Sequence, residues 1–308
     1  MKKVIIIAGP TAVGKSDLAI KLAKKLNTEI ISADSMQIYR KMDIGTAKIK
    51  EEEMDGIVHH MIDIVDPDEN YSVQNFQNQA YEIFDQIFEK DMVPIVVGGT
   101  GLYIDSLVYD YDFLNVKPDY KLRKELEDQY KKDPESLLDQ VRNIDSDLYK
   151  NINLNDMKKM IRIIEVYKLA GKKINYDRKN LNEDIDYKLF VLTDDRKVLY
   201  DRINKRVDQM IDQGLVEEVK GLLDEGLEEN VQSLKAIGYR EVIPYLEGQY
   251  SKEEMIELIK RNSRRYAKRQ LTWFRRNEYS NWIDISKEEF NSADKIIDHI
   301  RLWKILFI

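Results

Sequence analysis

The chain has 308 residues, 43% of them apolar and none of them cysteine, so it can bury a large core but has no disulfide, thiolate metal site or cysteine nucleophile. No apolar run approaches the ~20 residues that span a bilayer, and the opening MKKVIIIAG resembles a signal peptide only until a glycine-rich loop interrupts it; neither membrane insertion nor export is expected, and the expected location is cytoplasmic. A formal net charge of -7 argues on average against nucleic acid, yet residues 257–276 carry eight Lys and Arg against the single acid Glu257, which leaves a local basic surface open.

Val4 to Ile7 read as a buried strand feeding Gly9-Pro10-Thr11-Ala12-Val13-Gly14-Lys15-Ser16, a full match to the phosphate-loop pattern G-x-x-x-x-G-K-[ST]. Leu18, Ala19, Leu22, Ala23 and Leu26 then recur at helical spacing, which supplies the strand-loop-helix context that the motif requires. In such a loop backbone N–H groups and a helix N-terminus converge on an anion, Lys15 adds a point charge, and the Ser16 hydroxyl is placed to hold Mg²⁺. Glu29 to Ala33 read as a second strand, ending at Asp34-Ser35-Met36-Gln37. Ser72 caps a helix with Val73, Phe76, Ala80, Ile83, Phe84 and Ile87 on one face, and Pro94 to Val97 form a third strand that empties into Gly98-Gly99-Thr100-Gly101. This alternation predicts an α/β fold, a doubly wound parallel sheet with ligands at the strand C-termini.

From about Lys117 to Lys179 the strand signal vanishes and helical stripes take over: Leu122/Leu126/Tyr130, Leu137/Leu138/Val141 and Met157/Met160/Ile161/Ile164. Residues 117–180 are expected to form a helical insertion into a core made of 1–116 and 181–308, and they hold sixteen Lys and Arg against twelve Asp and Glu. Tyr187 to Thr193 resume the strand rhythm, followed by helices over Arg196 to Gln213 and Leu215 to Leu223. Ser251-Lys252-Glu253-Glu254 is a capping box that opens a long helix to about Asn277 and carries the basic cluster, including Arg264, Lys268 and Arg269. Tyr266, Trp273 and Phe274 in that helix are available to stack on bases, but at helical spacing they are expected in the core.

A plain nucleotidase would place a second acid at the end of a buried strand, where this sequence has Gly98-Gly99-Thr100. The candidate carboxylate is therefore Asp34, beside the loop, either as a base acting on an acceptor or as an ordinary turn acid. Arg202 and Arg206, four apart on one helix face, either clamp a phosphate through forked donors or are surface arginines. His59 and His60 are adjacent and diverge on any regular element, which argues against a zinc site.

Taken together, GPTAVGKS, ISADSMQIYRKMDIGTAK, HHMIDIVDPDENYSVQNF, PIVVGGTGLY, LKAIGYREV and RRYAKRQLTWFRR resemble the tRNA dimethylallyltransferases, also called tRNA isopentenyltransferases, from the first strand to Trp282. The resemblance implies transfer of a five-carbon prenyl group from dimethylallyl diphosphate to the exocyclic amine of the adenosine just 3′ of the anticodon, with the phosphate loop gripping the donor's diphosphate. It implies that Asp34 is the general base, Thr11 a loop residue near the amine and leaving group, Arg206 a diphosphate ligand, and Ser16 the Mg²⁺ ligand. It further implies tRNA contacts at Asp34, Ser35, Met36, Gln37, Thr100, Arg123, Lys158, Lys159, Met160, Ile161, Arg162, Leu234, Lys235, Ala236, Ile237, Gly238 and Tyr239, with the insertion clamping the anticodon stem-loop of a tRNA bound to a monomer. Lys159 stands where that family commonly has Arg, and Gly171-Lys172-Lys173-Ile174 lacks its Pro and Ser; these departures bear on the insertion's contacts, not on the chemistry. The competing readings are a P-loop small-molecule kinase, an isopentenyltransferase acting on free adenine nucleotides, and a nucleotide-gated RNA-binding protein without prenyl transfer.

Overall fold

The computed structural model describes residues 2–110, 116–153, 156–174, 180–286 and 292–301. Its strands are β1 (Lys2–Ala8), β2 (Ile30–Ser32), β3 (His59–His60), β4 (Ile95–Gly98), β5 (Ile185–Thr193) and β6 (Ser280–Asp284). They form one sheet in the order β3-β2-β4-β1-β5-β6, with every neighbouring pair parallel. Helices α1 (Lys15–Leu26), α2 (Val73–Phe88) and α3 (Gly101–Val108) alternate with the first strands. The chain ends with α8 (Arg196–Asp212), α9 (Leu215–Asp224), α10 (Tyr239–Leu246), α11 (Lys252–Phe274) and α12 (Ser292–Arg301) around the last two strands. The intervening α4 (Tyr120–Lys132), α5 (Pro134–Ile144), α6 (Ser146–Asn151) and α7 (Met157–Ala170) belong to a second compact unit, Asp110–Leu181.

A continuous apolar strand makes sense only if both faces of the sheet are covered. Val4 to Ala8 are all buried, and the alternate residues Ile5 and Ile7 join Leu18, Leu22, Leu199, Ile203 and Ile296 in one cluster under α1, α8 and α12. Ile6, Ile31, Val96, Leu189 and Val191, on the opposite parity, are equally buried. Helix starts follow side-chain caps: the Ser72 hydroxyl accepts from the Asn75 N–H, and Ser251 and Glu254 close the predicted capping box. The second unit has its own core of Leu126, Leu137, Val141, Met160 and Ile164, which meets the helical stripes read from the sequence.

Parallel pairing puts the C-terminal ends of β1, β2 and β4 at one edge. Ala8 lies opposite Gly98, Ser32 opposite Val97, and the Ala33 N–H donates to Val97 O at 2.7 Å. The phosphate loop, Asp34 and Gly98-Gly99 are thereby carried to a common crevice, the position that open α/β sheets use for ligands. The strands that patterning missed are β3, only two residues long, and the edge strand β6, where Ile283 is buried among polar and exposed neighbours.

Candidate active site

The loop from Gly9 to Ser16 wraps the start of α1, with Ala12 at φ 63° in the left-handed region that is costly for a residue with a Cβ. Val13 anchors it in the core, and its outer side is braced by one buried residue of α11. The Gln270 side-chain oxygen accepts the Thr11 N–H at 3.0 Å while its amide donates to Gly99 O at 2.9 Å, so one carboxamide ties the loop to the end of β4. A Cβ on Gly98 would lie 2.2 Å from the Ala33 carbonyl oxygen, and one on Gly99 would lie 2.1 Å from Gln270 Nε2 and displace that side chain. These approaches account for the glycines where a nucleotidase would carry its second acid.

Thr11, Lys15, Ser16, Asp34, Arg206 and Tyr266 line a cavity of about 340 Å³, together with Ser35, Met36, Gln37, Lys235, Ala236, Ile237 and Arg269. A second cavity of about 430 Å³ is lined by Gly14, Asp17, Asp43, Ala47 and Glu53, and the two share Lys15, Ser16, Arg206 and Met210. Apart from Met210, the shared residues are cationic or hydroxyl groups. Burial pushes the Lys15 ammonium down to about 8, with the Arg206 charge adding to the shift and Asp34 partly opposing it. Burial lowers Arg206 as well, against the opposing charges of Asp34 and Glu53. Lys15 Nζ donates to Pro10 O at 2.7 Å, and the Arg206 guanidinium makes only long contacts, to Thr11 Oγ1 at 3.5 Å and Ala47 O at 3.3 Å. Among the described residues neither cation has a carboxylate within ion-pair distance. Two desolvated positive charges facing one cavity are arranged for a multiply charged anion.

Asp34 faces the same space. Its Oδ1 accepts the N–H groups of Met36 at 2.9 Å and Gln37 at 3.4 Å, which fixes the carboxylate in a turn, and Oδ2 has no hydrogen bond among the described residues. The turn-acid reading is met by Oδ1, which leaves Oδ2 open toward the cavity. Thr100 is drawn to the same segment, its hydroxyl accepting the Ser35 N–H at 3.0 Å. Arg202 is separated from Arg206 in role, because it pairs with the nearly buried Asp194 at 2.7 Å.

Other predicted contacts need correction. Met160 and Ile161 are buried in the core of the second unit, and Leu234 and Tyr239 are buried in the first, so their side chains serve packing rather than nucleic-acid contact. Arg123 and Arg162 both bind Glu165, which is fully buried; Arg123 makes two bonds of 2.7 and 2.8 Å and Arg162 one of 2.6 Å. Burial pushes Glu165 up, but the hydrogen bonds from these two arginines prevail and hold it below the ordinary carboxylate range. Lys158 remains exposed, Lys159 is half-buried, and Gly238 is buried. On α11, Lys268 and Arg269 are exposed, whereas Arg264 donates to Asn204 Oδ1 on α8 at 2.5 Å. Phe274 is core as expected, but Tyr266 lines the cavity instead. Burial and the Asp34 charge raise the Tyr266 phenol, so it is a hydrogen-bond donor there. Tyr266 and Gln270 were the residues that the sequence hid as site members; a lone Gln on the buried stripe of a long helix was the available signal. His59 and His60 bond Ile57 O and Glu29 Oε2, and no cluster of three His, Asp or Glu suited to a metal occurs among the described residues.

The IPP transferase family model matches residues 37–277, and an isopentenyl transferase model matches residues 2–66. The chain belongs to the tRNA dimethylallyltransferase family. It is 52% identical to the tRNA dimethylallyltransferase of Alkaliphilus oremlandii, over 97% of this chain and 96% of that one. The corresponding protein of Clostridioides difficile is 47% identical over 98% of both chains. Among solved structures, the tRNA isopentenylpyrophosphate transferase of Bacillus halodurans matches with a TM-score of 0.73 at 43% identity, covering 99% of this chain and 97% of its own. A eukaryotic dimethylallyltransferase solved acting on tRNA matches with a TM-score of 0.83 at 30% identity, covering 98% of this chain and 80% of its own. The family match spans both compact units, so the fold and the helical unit between its halves belong to one architecture.

Proposed function

We propose that the chain transfers a dimethylallyl group from dimethylallyl diphosphate to the exocyclic amine of the adenosine 3′ of the anticodon in tRNA, with release of diphosphate. The observation that carries this reading is the pairing, in one cavity, of two desolvated cations without carboxylate partners and a carboxylate with one open oxygen. The loop N–H groups, Lys15 and Arg206 hold the diphosphate. As the donor carbon–oxygen bond breaks, charge grows on the leaving diphosphate where these groups already point, and preorganised donors of this kind are worth about 10² to 10³ each in rate. The adenine nitrogen forms the new carbon–nitrogen bond and gives its proton to Asp34 Oδ2. Thr11, a loop residue joined to both Gln270 and Arg206, lines the same cavity as Asp34.

The Ser16 hydroxyl, on the wall shared by the two cavities, would hold a Mg²⁺ ion, which needs no all-protein cage. When bound, the ion supplies charge neutralisation to the leaving diphosphate. The two cavities meeting at Lys15 and Arg206 give donor and nucleobase separate approaches to one point. Extruding the base from its stacked loop costs a few kcal/mol, which contacts from the basic helix and from the unit Asp110–Leu181 offset. Among the described residues no helix is long and apolar enough to cross a membrane.

Labelled dimethylallyl diphosphate, Mg²⁺ and unmodified tRNA test the proposal directly: the label should map to the adenosine 3′ of the anticodon. Asp34→Ala should cut single-turnover transfer by about two orders of magnitude or more while tRNA affinity changes far less. Tight ATP binding without affinity for the prenyl diphosphate would instead favour a kinase.

A further inference from the structure

The Arg206 guanidinium reaches the backbone at one carbonyl, that of Ala47, and the residue carrying it has a left-handed φ of 45°. Non-glycine residues take this conformation only when their surroundings impose it. The Gln37 amide binds the same carbonyl at 3.2 Å and Thr46 O at 3.4 Å, so Ala47 is where the segment following Asp34 meets the leaving-group side of the cavity. The loop closes on itself through the Ala47 N–H to Ile44 O and the Lys48 N–H to Asp43 O, with Lys48 Nζ on Tyr39 O, and it is fastened to the rest of the unit by a carboxylate on α9. Glu218 Oε2 accepts the N–H groups of Asp43 at 2.9 Å and Ile44 at 2.8 Å; Oε1 accepts Gly45 N–H at 3.1 Å and the Tyr239 hydroxyl at 2.5 Å. Tyr239 is fully buried and packs where a side chain on Gly45 would be, since a Cβ there would lie 2.3 Å from its ring. One residue, Gly238, separates it from Lys235 to Ile237, which line the cavity that Asp34 faces, and it precedes Arg240, which also lines that cavity.

We infer that Glu218 is a positioning residue for prenyl transfer: by gathering three successive N–H groups of Asp43–Gly45 and the Tyr239 hydroxyl, it sets the Ala47 carbonyl that aims Arg206 at the leaving diphosphate. A carboxylate accepting four hydrogen bonds fixes a loop more tightly than neutral groups, because each bond is charge-assisted. Through Tyr239 the same group ties the acceptor-facing segment to the leaving-group arginine. The role of Arg206 rests on the function proposed above; the role of Glu218 is additional to it.

Glu218→Gln keeps the size; with its amide nitrogen turned toward Tyr239 it donates to the phenol oxygen and still accepts from Asp43 and Ile44, so the Gly45 N–H bond is lost and the remaining bonds are no longer charge-assisted. Single-turnover transfer should fall about tenfold, with tRNA affinity unchanged. In an Arg206→Ala background the same change should cost less than about twofold, because the residue acts through that arginine. Equal losses in both backgrounds, or no loss in the wild type, would overturn the inference. If Arg206→Ala itself leaves the chemical step intact, the failure belongs to the assignment of Arg206 to the diphosphate, and the two outcomes are distinct. Should thermal unfolding show Glu218→Gln to be poorly folded, Tyr239→Phe probes the same node with a loss of about threefold, again confined to the Arg206 background.

Discussion

Arg206 in the first compact unit and Arg123 with Arg162 in the second are the same residue type on amphipathic helices, yet their surroundings assign them opposite work. Arg123 and Arg162 converge on Glu165, a carboxylate with no exposure: the fork of Arg123 holds α4 to α7, and Arg162 bonds Glu165 within α7 and Val116 O before α4. Arg206 has long contacts to a hydroxyl and a carbonyl, faces a cavity, has its charge penalised by burial, and in turn lowers Lys15. A cation that already owns a buried carboxylate is part of the fold, whereas a desolvated one without such a partner is held ready for an anion.

The sharpest way to break the contrast is to remove Arg206. Arg206→Ala should lower single-turnover transfer by about 10² to 10³ and leave thermal stability nearly unchanged, since it deletes a group whose stabilising partner arrives with the donor. A large drop in stability with intact chemistry would place Arg206 with the structural arginines.

The reciprocal change is Glu165→Gln. It leaves two arginines facing a carboxamide that can satisfy only part of their donors; because both are about a third exposed and partly rehydrate, the cost should be about 2 to 4 kcal/mol. Calorimetry should show the loss in the unit Asp110–Leu181, while binding of dimethylallyl diphosphate to the other unit stays normal. Weakened donor binding with unchanged stability would mean that the two regions are not separate in function.

Lys15 sharpens the comparison through pH. With its ammonium lowered to about 8 against an ordinary value near 10.4, the unfolded chain holds more protons than the folded one between those limits. This group's contribution to stability therefore rises with pH across that window, and below about pH 8 its buried charge is a cost that a bound diphosphate removes. Donor affinity should accordingly be flat below about pH 8 and weaken by up to tenfold per unit above it, as calorimetric titration without tRNA would measure. Lys15→Arg should flatten the profile, because a guanidinium does not titrate in this range. A wild-type profile as flat as the arginine variant's would remove Lys15 from the diphosphate site.

These contrasts were only partly legible in the sequence. Local chemistry was readable: Gly9 to Ser16 between a buried strand and an amphipathic helix permits few structures other than a phosphate loop, and the capping residues Ser72 and Ser251 mark helix starts by mechanism. Asp34 at a strand end was readable as a candidate because parallel topology carries such ends to the crevice. Partnership was not readable, since it joins distant residues: nothing near Arg123 announces Glu165, forty-two positions on, and nothing near Thr11 announces Gln270. Resemblance also transfers whole segments, so Met160, Ile161, Leu234 and Tyr239 came along with neighbours that do face outward, although helical periodicity already placed Met160 and Ile161 on an apolar stripe.

The smallest expected effect divides the basic cluster of α11 by the same criterion. Arg264 is bonded to Asn204 on α8, whereas Lys268 and Arg269 are exposed, and Arg269 lines the acceptor cavity with its guanidinium 5.5 Å from the Tyr266 ring. Each lost contact with an RNA phosphate should flatten the dependence of log affinity on log salt by about 0.7 to 0.9. Lys268→Ala and Arg269→Ala should each change the tRNA slope by about that amount, and Arg264→Ala by much less, its main effect being a modest loss of stability where α11 meets α8. Three equal slope changes would show that Arg264 leaves Asn204 when tRNA binds. Three unchanged slopes would make this helix face a solvated surface, and recognition would then rest on the residues around Asp34 and on the helical unit.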